Sequence, residues 1–348
     1  MENQHRHQRE HEIPNEKILK SSCLPLLQKR LTKSVILLVF PLRKMYIMQS
    51  ISRKESSMLS GYLLAVFLGF VWTAVGITIA LARKQQCPIW SFYSIGATFA
   101  ILLSLPFCPL SVTNLSPGGI SLLALGASAI AFGQTLSMRF LQGQGRAVLF
   151  SIHQMNFLFS FILALIFLSE KVTVFSLLGM LSLTVSIVGI SMFGNAEADR
   201  TFPPFRSIMF TVAAAMICGV GQYLLLLGNR FLPDAPSAFK GVIVLFFCAV
   251  FYALGIPLEL KELQQRRKNV LRFAALWAVS AAISYRVLFI AIEKMSAVGR
   301  GGLVYAIGSS VSILLFFLFA VFQFKDKTSK VQIALIAGII AGVILLRF

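Results

Sequence analysis

Residues 145–171 read GRAVLFSIHQMNFLFSFILALIFLSEK, and this stretch decides the fold because its pattern occurs again later in the chain. Residues 299–325 read GRGGLVYAIGSSVSILLFFLFAVFQFK, which also begins with Gly-Arg, continues as an apolar run and ends in a lysine. The two Gly-Arg pairs are 154 residues apart, and so are the two final lysines. Each run has about the length that an α-helix needs to cross a bilayer. The pattern therefore predicts two similar halves made of membrane-spanning helices.

Apolar runs of this kind follow one another from Leu59 to the C-terminus, about ten in all. Ten spans divide into five and five, and because five is odd the second half enters the membrane from the opposite side. The sequence predicts an all-α membrane protein of about ten transmembrane helices, arranged as two inverted five-helix repeats. The approximate spans are 60–82, 90–112, 118–141, 146–168, 174–194, 206–228, 238–257, 272–293, 300–322 and 330–347.

The composition agrees with a membrane protein and argues against a soluble domain, a nucleic-acid-binding protein and a metal-binding protein. The chain is 57% hydrophobic and 13% charged, against about 45–50% and about 25% in soluble domains. Its net charge of +19 comes mostly from Lys and Arg between the apolar runs, which is typical of membrane insertion and does not indicate a nucleic-acid partner. The five cysteines show no metal spacing, so neither a metal nor a cofactor is expected.

Three segments follow from these patterns. Residues 1–57 are polar and basic, and we interpret them as a disordered basic tail or as an upstream extension from a misassigned start codon. Residues 58–195 form the predicted first five-helix repeat, and residues 196–348 form the second.

Loops after odd-numbered spans carry 14 Lys and Arg against 5 in the other loops. This bias places the odd loops in the cytoplasm.

Ionisable residues within a span are costly, so each is a functional candidate. Arg286, in the eighth span, offers a fork of donors to a central cavity, although an arginine there can also snorkel to the interface. His153 is the one histidine after Met58, and it is a candidate for proton coupling or a neutral helix contact. Arg139 lies near a span end, where it is expected at the membrane edge.

Polar and aromatic residues supply the other candidates. Gln222 stands beside Gly219 and Gly221, which allow close backbone approach or local unwinding; the alternative is an interhelical hydrogen bond. Trp90 and Trp277 lie near span ends and are interpreted as interface anchors. The predicted substrate-binding residues are Gln134, Gln154, Gln222, Tyr285 and Arg286. The predicted stacking surfaces for a sugar ring are Trp72, Tyr93, Tyr285 and Tyr305.

Motifs of known catalytic chemistry are missing from the sequence. There is no GxSxG, no HExxH, no P-loop and no pair of mid-span carboxylates. An enzyme is therefore not expected. A membrane-embedded lipid-modifying enzyme would need such carboxylates or a metal cluster. A scaffold or receptor would leave the mid-span polar residues without converging geometry.

The junction between the fourth and fifth spans carries a family resemblance. Residues 168–190 read LSEKVTVFSLLGMLSLTVSIVGI, in which a span ends in a Glu, a short polar turn follows, and the next span carries glycines. The chain in this respect resembles the drug/metabolite transporter superfamily in its ten-span form with EamA-like halves. The second half departs from this pattern, because residues 324–327 read FKDK without a Glu, although Gly338 and Gly342 follow as a close-packing face.

Shorter fragments resemble the L-rhamnose/proton symporter branch of that superfamily. They are ARK at 82–84, IWS at 89–91, TLSMRFL at 135–141, and the start of the ninth span around Tyr305. The resemblance implies a substrate-specific carrier that is often coupled to protons.

The predicted function is secondary active transport of a small polar metabolite, a sugar with proton coupling, by alternating access. The alternative is an exporter of amino acids or drugs, which a cavity dominated by Phe would favour, with Arg286 buried in a structural contact. The expected partners are the small-molecule substrate, a coupling proton and the lipid bilayer, with the chain as a monomer or homodimer. The expected location is the plasma membrane, or the inner membrane of a Gram-negative bacterium.

Overall fold

A computed structural model describes residues 57–109, 115–140, 149, 152–193, 205–324 and 329–348. These parts of the chain contain ten long helices and no strand. The helices are α1 (Ser57–Lys84), α2 (Ile89–Ser104), α3 (Pro117–Phe140), α4 (Asn156–Leu168), α5 (Val174–Phe193), α6 (Phe205–Phe231), α7 (Ser237–Ala253), α8 (Leu260–Ser296), α9 (Leu303–Phe324) and α10 (Lys330–Leu345). The predicted tail over residues 1–56 lies outside the described residues, as does the Gly-Arg pair at 145–146.

Each predicted apolar run coincides with one of these helices, so the all-α prediction is confirmed. Five segments are long and apolar enough to cross a membrane: Ser57–Lys84, Ile89–Phe107, Pro117–Met138, Phe205–Phe231 and Ile256–Ser296. The remaining helices are apolar over shorter lengths of 10–17 residues. These lengths and compositions are those of a membrane protein.

A carboxylate from a distant part of the chain and a proline explain where α2 begins and ends. Its first backbone N–H groups have no partner within the helix, and the carboxylate of Glu259 accepts those of Ile89, Trp90 and Ser91 at 3.1, 2.9 and 3.2 Å. A negative charge at this position also complements the helix dipole. Pro106 ends the regular helix, because α2 passes into a 3₁₀ turn at Leu105–Phe107.

Glycines let particular helices approach closely. A Cβ added to Gly179 of α5 would lie 2.9 Å from the carbonyl oxygen of Gly342 in α10, and one added to Gly342 would lie 3.0 Å from that of Gly179. This confirms the close-packing face predicted for the last span. Gly126 of α3 and Gly221 of α6 make the same reciprocal approach, at 2.9 and 2.8 Å.

The glycines beside Gln222 serve packing, and the helix stays intact around them. Helix α6 is continuous from Phe205 to Phe231, so the predicted option of local unwinding is wrong. A Cβ added to Gly219 would lie 2.6 Å from the carbonyl oxygen of Asn156. The close-approach option therefore describes this segment, and it brings α6 against the start of α4.

Contacts between connections define two ends of the helix bundle. Arg266, near the start of α8, donates to the carbonyl oxygen of Gln85 at 2.7 Å in the α1–α2 connection. We call this the basic end, after Arg83, Lys84 and Arg266. At the far end, the backbone N–H of Lys171 donates to the carbonyl oxygen of Gly299 at 2.9 Å. The far end is thus defined by the α4–α5 and α8–α9 connections.

The outer surface of the bundle is apolar. Large hydrophobic side chains there are about half to two-thirds exposed, which is unusual for a protein surrounded by water. Examples are Leu63, Phe70, Leu125, Ile166 and Leu181. These faces suit contact with lipid, while the polar side chains described next point inward.

Candidate functional site

A cavity of about 720 Å³ lies among α1–α4 and α6–α9. This volume is in the range of small-molecule sites. The lining residues on these helices, and just before α4, are Trp72, Val75, Gly76, Ile79, Ala80, Arg83, Lys84, Tyr93, Ile130, Gln134, Met138, His153, Gln154, Asn156, Gln222, Leu225, Cys248, Tyr252, Trp277, Ala281, Ser284, Tyr285, Leu288, Tyr305, Ser309, Ser312, Ile313 and Phe316.

The cavity reaches the surface at the basic end. On α1 its wall runs from Trp72 to the exposed Lys84 at the end of the helix. On α9 it runs from Tyr305, near the far end, to Phe316. The cavity therefore extends through much of the bundle and leads to the basic end.

The far end is closed by backbone and carboxylate contacts. Both carboxylate oxygens of Glu170 accept the Gly302 N–H, at 3.0 and 2.9 Å, and this side chain is only 6% exposed. Burial raises the pKa of Glu170, while the Gly302 N–H and the charge of Arg230 act against that shift. Together with the Lys171–Gly299 bond, this contact joins the α4–α5 connection to the start of α9.

Five of the six residues predicted for binding and coupling line this one cavity: Gln134, His153, Gln154, Gln222 and Tyr285. They come from α3, from the two positions 153 and 154 just before α4, from α6 and from α8, so the fold brings together parts of the chain that are far apart in the sequence.

Arg286 does not line the cavity. It is exposed, and its guanidinium carbon lies 4.7 Å from the centroid of the Phe107 ring, a cation–π contact. Ser284, Tyr285 and Leu288 occupy the cavity face of α8, and the next residue after Tyr285 points about 100° away around the helix. The structure therefore separates Arg286 from the other predicted residues.

Hydrogen bonds across the cavity wall join the two parts of the sequence. The hydroxyl of Tyr252 in α7 donates to Oε1 of Gln134 in α3 at 3.0 Å. Nε2 of Gln222 in α6 donates to Oδ1 of Asn156 in α4 at 2.9 Å. Each bond links a helix from residues 58–195 to one from residues 196–348. The cavity therefore lies where those two segments meet.

Aromatic rings form a large part of the wall. Trp72 and Tyr305 stack with their centroids 6.4 Å apart, and Nε1 of Trp72 donates to Ser284 Oγ at 2.7 Å. Tyr93 stacks on Tyr252 with a centroid distance of 4.8 Å. All four residues predicted as stacking surfaces line the cavity.

Sequence reasoning placed Trp277 wrongly and missed other residues. Trp277 lines the cavity and touches the Tyr93 ring edge-on at 5.6 Å, instead of anchoring an interface. Ser309 and Ser312 of α9 also line it, and their spacing of three residues places them on one helix face. That spacing is the signal that could have identified them.

Some polar atoms on cavity-lining residues are buried without a hydrogen-bond partner. Among the described residues, four buried polar atoms of the cavity wall make no hydrogen bond: His153 Nδ1, Gln222 Oε1, Trp277 Nε1 and Tyr305 Oη. Buried polar groups are normally paired because leaving them unpaired costs free energy.

Comparisons with known proteins identify the fold and no more. No protein-family model matches the sequence, and no curated protein matches it. Solved structures do match, to a total of 26 chains. One of them, described as "Crystal structure of protein", shares 15% identity, covers 82% of this chain and 97% of that chain, and gives a TM-score of 0.59. At this identity the similarity concerns the fold alone.

Proposed function

We propose that this chain is a secondary active transporter that works by alternating access. It moves a small polar metabolite, for which we propose a sugar, together with a proton. One observation carries the proposal. A cavity of about 720 Å³, lined by amides, hydroxyls and aromatic rings, lies between the two parts of the sequence. Transporters built from repeats bind substrate in this position. In this proposal the chain resides in the plasma membrane as a multi-pass protein.

Helix contacts support two inverted five-helix repeats. If five is added to each helix number, with α1 following α10, the α3–α6 pair becomes the α8–α1 pair. Both of these pairs are in contact. The same shift relates α4–α6 to α9–α1, and α2–α8 to α7–α3, which are also in contact. A contact pattern of this kind is expected when two copies of one unit pack together. The proposal therefore has all ten helices crossing the bilayer, including the five shorter ones.

The proposed mechanism starts from the conformation in the structure. The cavity leads to the basic end, and the bias of Lys and Arg assigns that end to the cytoplasm. The far end is held shut by the Glu170–Gly302 and Lys171–Gly299 contacts. Transport would require these contacts to break while the basic end closes. In this scheme the structure represents the inward-facing state.

The lining residues favour a hydroxylated substrate over the alternative cargoes. Phe316 is the one Phe among the described lining residues, so the wall is not the Phe-dominated surface of a drug site. The described lining residues include no Asp or Glu, and the ammonium of an amino acid would remain without a counter-charge. We assign substrate hydroxyls to Gln134, Gln154 and Gln222.

Two further residues complete the proposed site. Tyr285 contributes a ring beside the substrate, and His153 carries the coupled proton. Arg286 is not part of this site, because it lies on the outer face of α8.

Uptake into proteoliposomes tests the proposal. Labelled sugars and amino acids are supplied with and without a pH gradient, using the full chain and a His153→Gln variant. We expect concentrative uptake of at least one sugar that requires the gradient, and loss of that requirement in the variant. Equal uptake by empty liposomes for the whole panel would contradict the transport function. Uptake of amino acids but not sugars would favour the exporter alternative.

A further inference from the structure

Two exposed basic side chains stand near the start of α8. Lys268 and Arg272 are both exposed, and because they are four residues apart they share one face of the helix. The sequence from residue 267 to residue 286 contains no Asp or Glu. Within the part of the chain that the structure describes, neither side chain makes an ion pair. Their positive charges are therefore presented to the surroundings without a counter-charge from the described residues.

The same face of α8 continues as an apolar surface. Leu276, Val279 and Ile283 follow Arg272 at helical spacing, and their side chains are 51%, 50% and 43% exposed. They belong to a segment that is long and apolar enough to cross a membrane, so this surface suits contact with lipid tails. The outer face of α8 thus changes from apolar to basic towards the basic end.

The length of this outer face matches the thickness of a bilayer. Arg286 is exposed beyond the apolar surface, eighteen residues after Lys268. Eighteen residues make about five helical turns and about 27 Å, so the two side chains point in nearly the same direction. The hydrocarbon core of a bilayer is about 30 Å thick. A bilayer placed on this surface therefore has Lys268 and Arg272 at the level of its headgroups.

A break in the helix separates this basic pair from the contacts at the opening of the cavity. Arg266 has non-helical φ and ψ angles of −115° and 16°, and its guanidinium donates to the carbonyl oxygen of Gln85 at 2.7 Å. Arg266 is thus engaged with the protein. Among the described residues, Arg272 contacts only the ring of Phe273, with 5.8 Å from the guanidinium carbon to the centroid. That contact leaves its N–H donors available.

From these observations we propose that Lys268 and Arg272 bind the phosphate of an anionic phospholipid in the leaflet at the basic end. The headgroup meets the two charges, while the acyl chains lie along Leu276, Val279 and Ile283. A lipid with net negative charge complements the basic pair, whereas a zwitterionic lipid brings its own cation to it. The inference goes beyond the proposed transport function and does not rest on it.

Membrane insertion gives a competing reason for these charges. Positive residues beside a span orient it during insertion, and that role requires no lipid bound to the folded chain. The two explanations differ after folding, because only a lipid site makes the purified chain prefer anionic over zwitterionic phospholipid. They also differ in position, because a lipid site requires the charges on the outer face of α8.

Thermal unfolding of the purified full chain in neutral detergent measures the lipid preference. Dioleoylphosphatidylglycerol, dioleoylphosphatidylcholine and inorganic phosphate are titrated separately, and the rise in Tm gives an apparent affinity for each. A Lys or Arg near an anionic lipid surface strengthens binding about fivefold. We therefore expect phosphatidylglycerol to bind about 25-fold more tightly than phosphatidylcholine, and inorganic phosphate, which lacks acyl chains, to leave Tm nearly unchanged.

Variants connect this preference to the basic pair. Lys268→Gln should reduce the affinity for phosphatidylglycerol about fivefold, and Lys268→Gln combined with Arg272→Gln should reduce it to that for phosphatidylcholine. Lys84→Gln is the matched control, because Lys84 is an exposed lysine at the same end that lines the cavity instead of the outer face of α8. Lys268→Gln alone keeps the test decisive if the double variant fails to fold.

The outcomes decide between a lipid site and a charge used only for insertion. A preference for phosphatidylglycerol that falls in Lys268→Gln and persists in Lys84→Gln supports the inference. Equal affinities for the two lipids, or a preference that Lys268→Gln leaves unchanged, overturns it. An equal fall in Lys84→Gln, or an equal rise in Tm with inorganic phosphate, also overturns it. Each of these outcomes leaves the transport function to be decided by the uptake measurements.

Discussion

Gln222 uses one end of its amide to hold two helices together and leaves the other end unused. Its Nε2 donates to Asn156 Oδ1 at 2.9 Å, while its Oε1 is buried without a partner. The first bond fixes the amide between α6 and α4. The side chain of Gln222 therefore has a fixed position beside the cavity that this residue lines.

Replacing Gln222 by Leu should impair transport, and it should also destabilise the chain by about 1–3 kcal/mol because Asn156 Oδ1 is left buried without its donor. The side chain keeps a similar bulk but loses the acceptor, and the loss of one ligand hydrogen bond corresponds to about a tenfold rise in KM. Uptake kinetics in proteoliposomes measure it. Gln264→Leu is the control, because Gln264 is an exposed residue of α8 outside the cavity. An unchanged KM in Gln222→Leu would remove this residue from the site.

Arg286→Ala should leave transport nearly intact. The side chain is exposed and rests on Phe107, and an exposed cation–π contact contributes about 0.5–1 kcal/mol. We therefore expect uptake within about twofold of the parent chain and a small decrease in thermal stability. Tyr285→Phe, one residue earlier on the cavity face, is the comparison. If Arg286→Ala abolished uptake while membrane insertion stayed normal, Arg286 would have to be counted among the substrate-binding residues.

These two residues show what the sequence could and could not predict. Apolar runs are visible in the sequence because lipid and core contacts require them along a whole helix, so every helix was located. Gln222 was found because an amide within an apolar run is unusual in itself. The direction of a side chain depends on which helix face meets the cavity, and one residue turns it by about 100°. Arg286 and Trp277 were misplaced for that reason.

The grouping of residues around one cavity was equally hidden from sequence reasoning. Arg83 and Lys84 belong to a basic loop that membrane insertion already explains. Only the fold shows that they line the same wall as Trp277 and Tyr305. A property that belongs to a set of residues, and to none of them alone, requires the three-dimensional arrangement.

Lys240 and Glu293 form an ion pair near the far end, and replacing one or the other should destabilise the chain by different amounts. Lys240 is fully buried and donates to Asn229 Oδ1 at 2.7 Å and to Glu293 Oε1 at 2.8 Å, whereas the Glu293 side chain is 37% exposed. Glu293→Leu leaves the lysine buried beside a neutral amide, and breaking a buried pair in this way costs about 3–5 kcal/mol. Lys240→Met leaves a carboxylate that water can reach, so its cost should be smaller.

Thermal unfolding in detergent tests this order. Glu293→Leu should lower Tm more than Lys240→Met, and the double variant should lie closer to Lys240→Met than to the sum of the two losses. Glu262→Leu serves as the control, since Glu262 is an exposed carboxylate at the other end of α8. Equal losses from the two single variants would show that the pair is not asymmetric.

Glu170 should make the stability of the chain depend on pH in an unusual direction. Burial raises its pKa above the ordinary value near 4.5, so the folded chain keeps this proton at a pH where the unfolded chain has lost it. The protonated side chain therefore contributes stability that is present below about 4.5 and is lost as pH rises through the raised pKa. Glu170→Gln cannot titrate and provides the baseline. The Tm of the parent chain minus that of Glu170→Gln should fall as pH rises above about 4.5, and a difference that rises with pH would contradict the assigned shift.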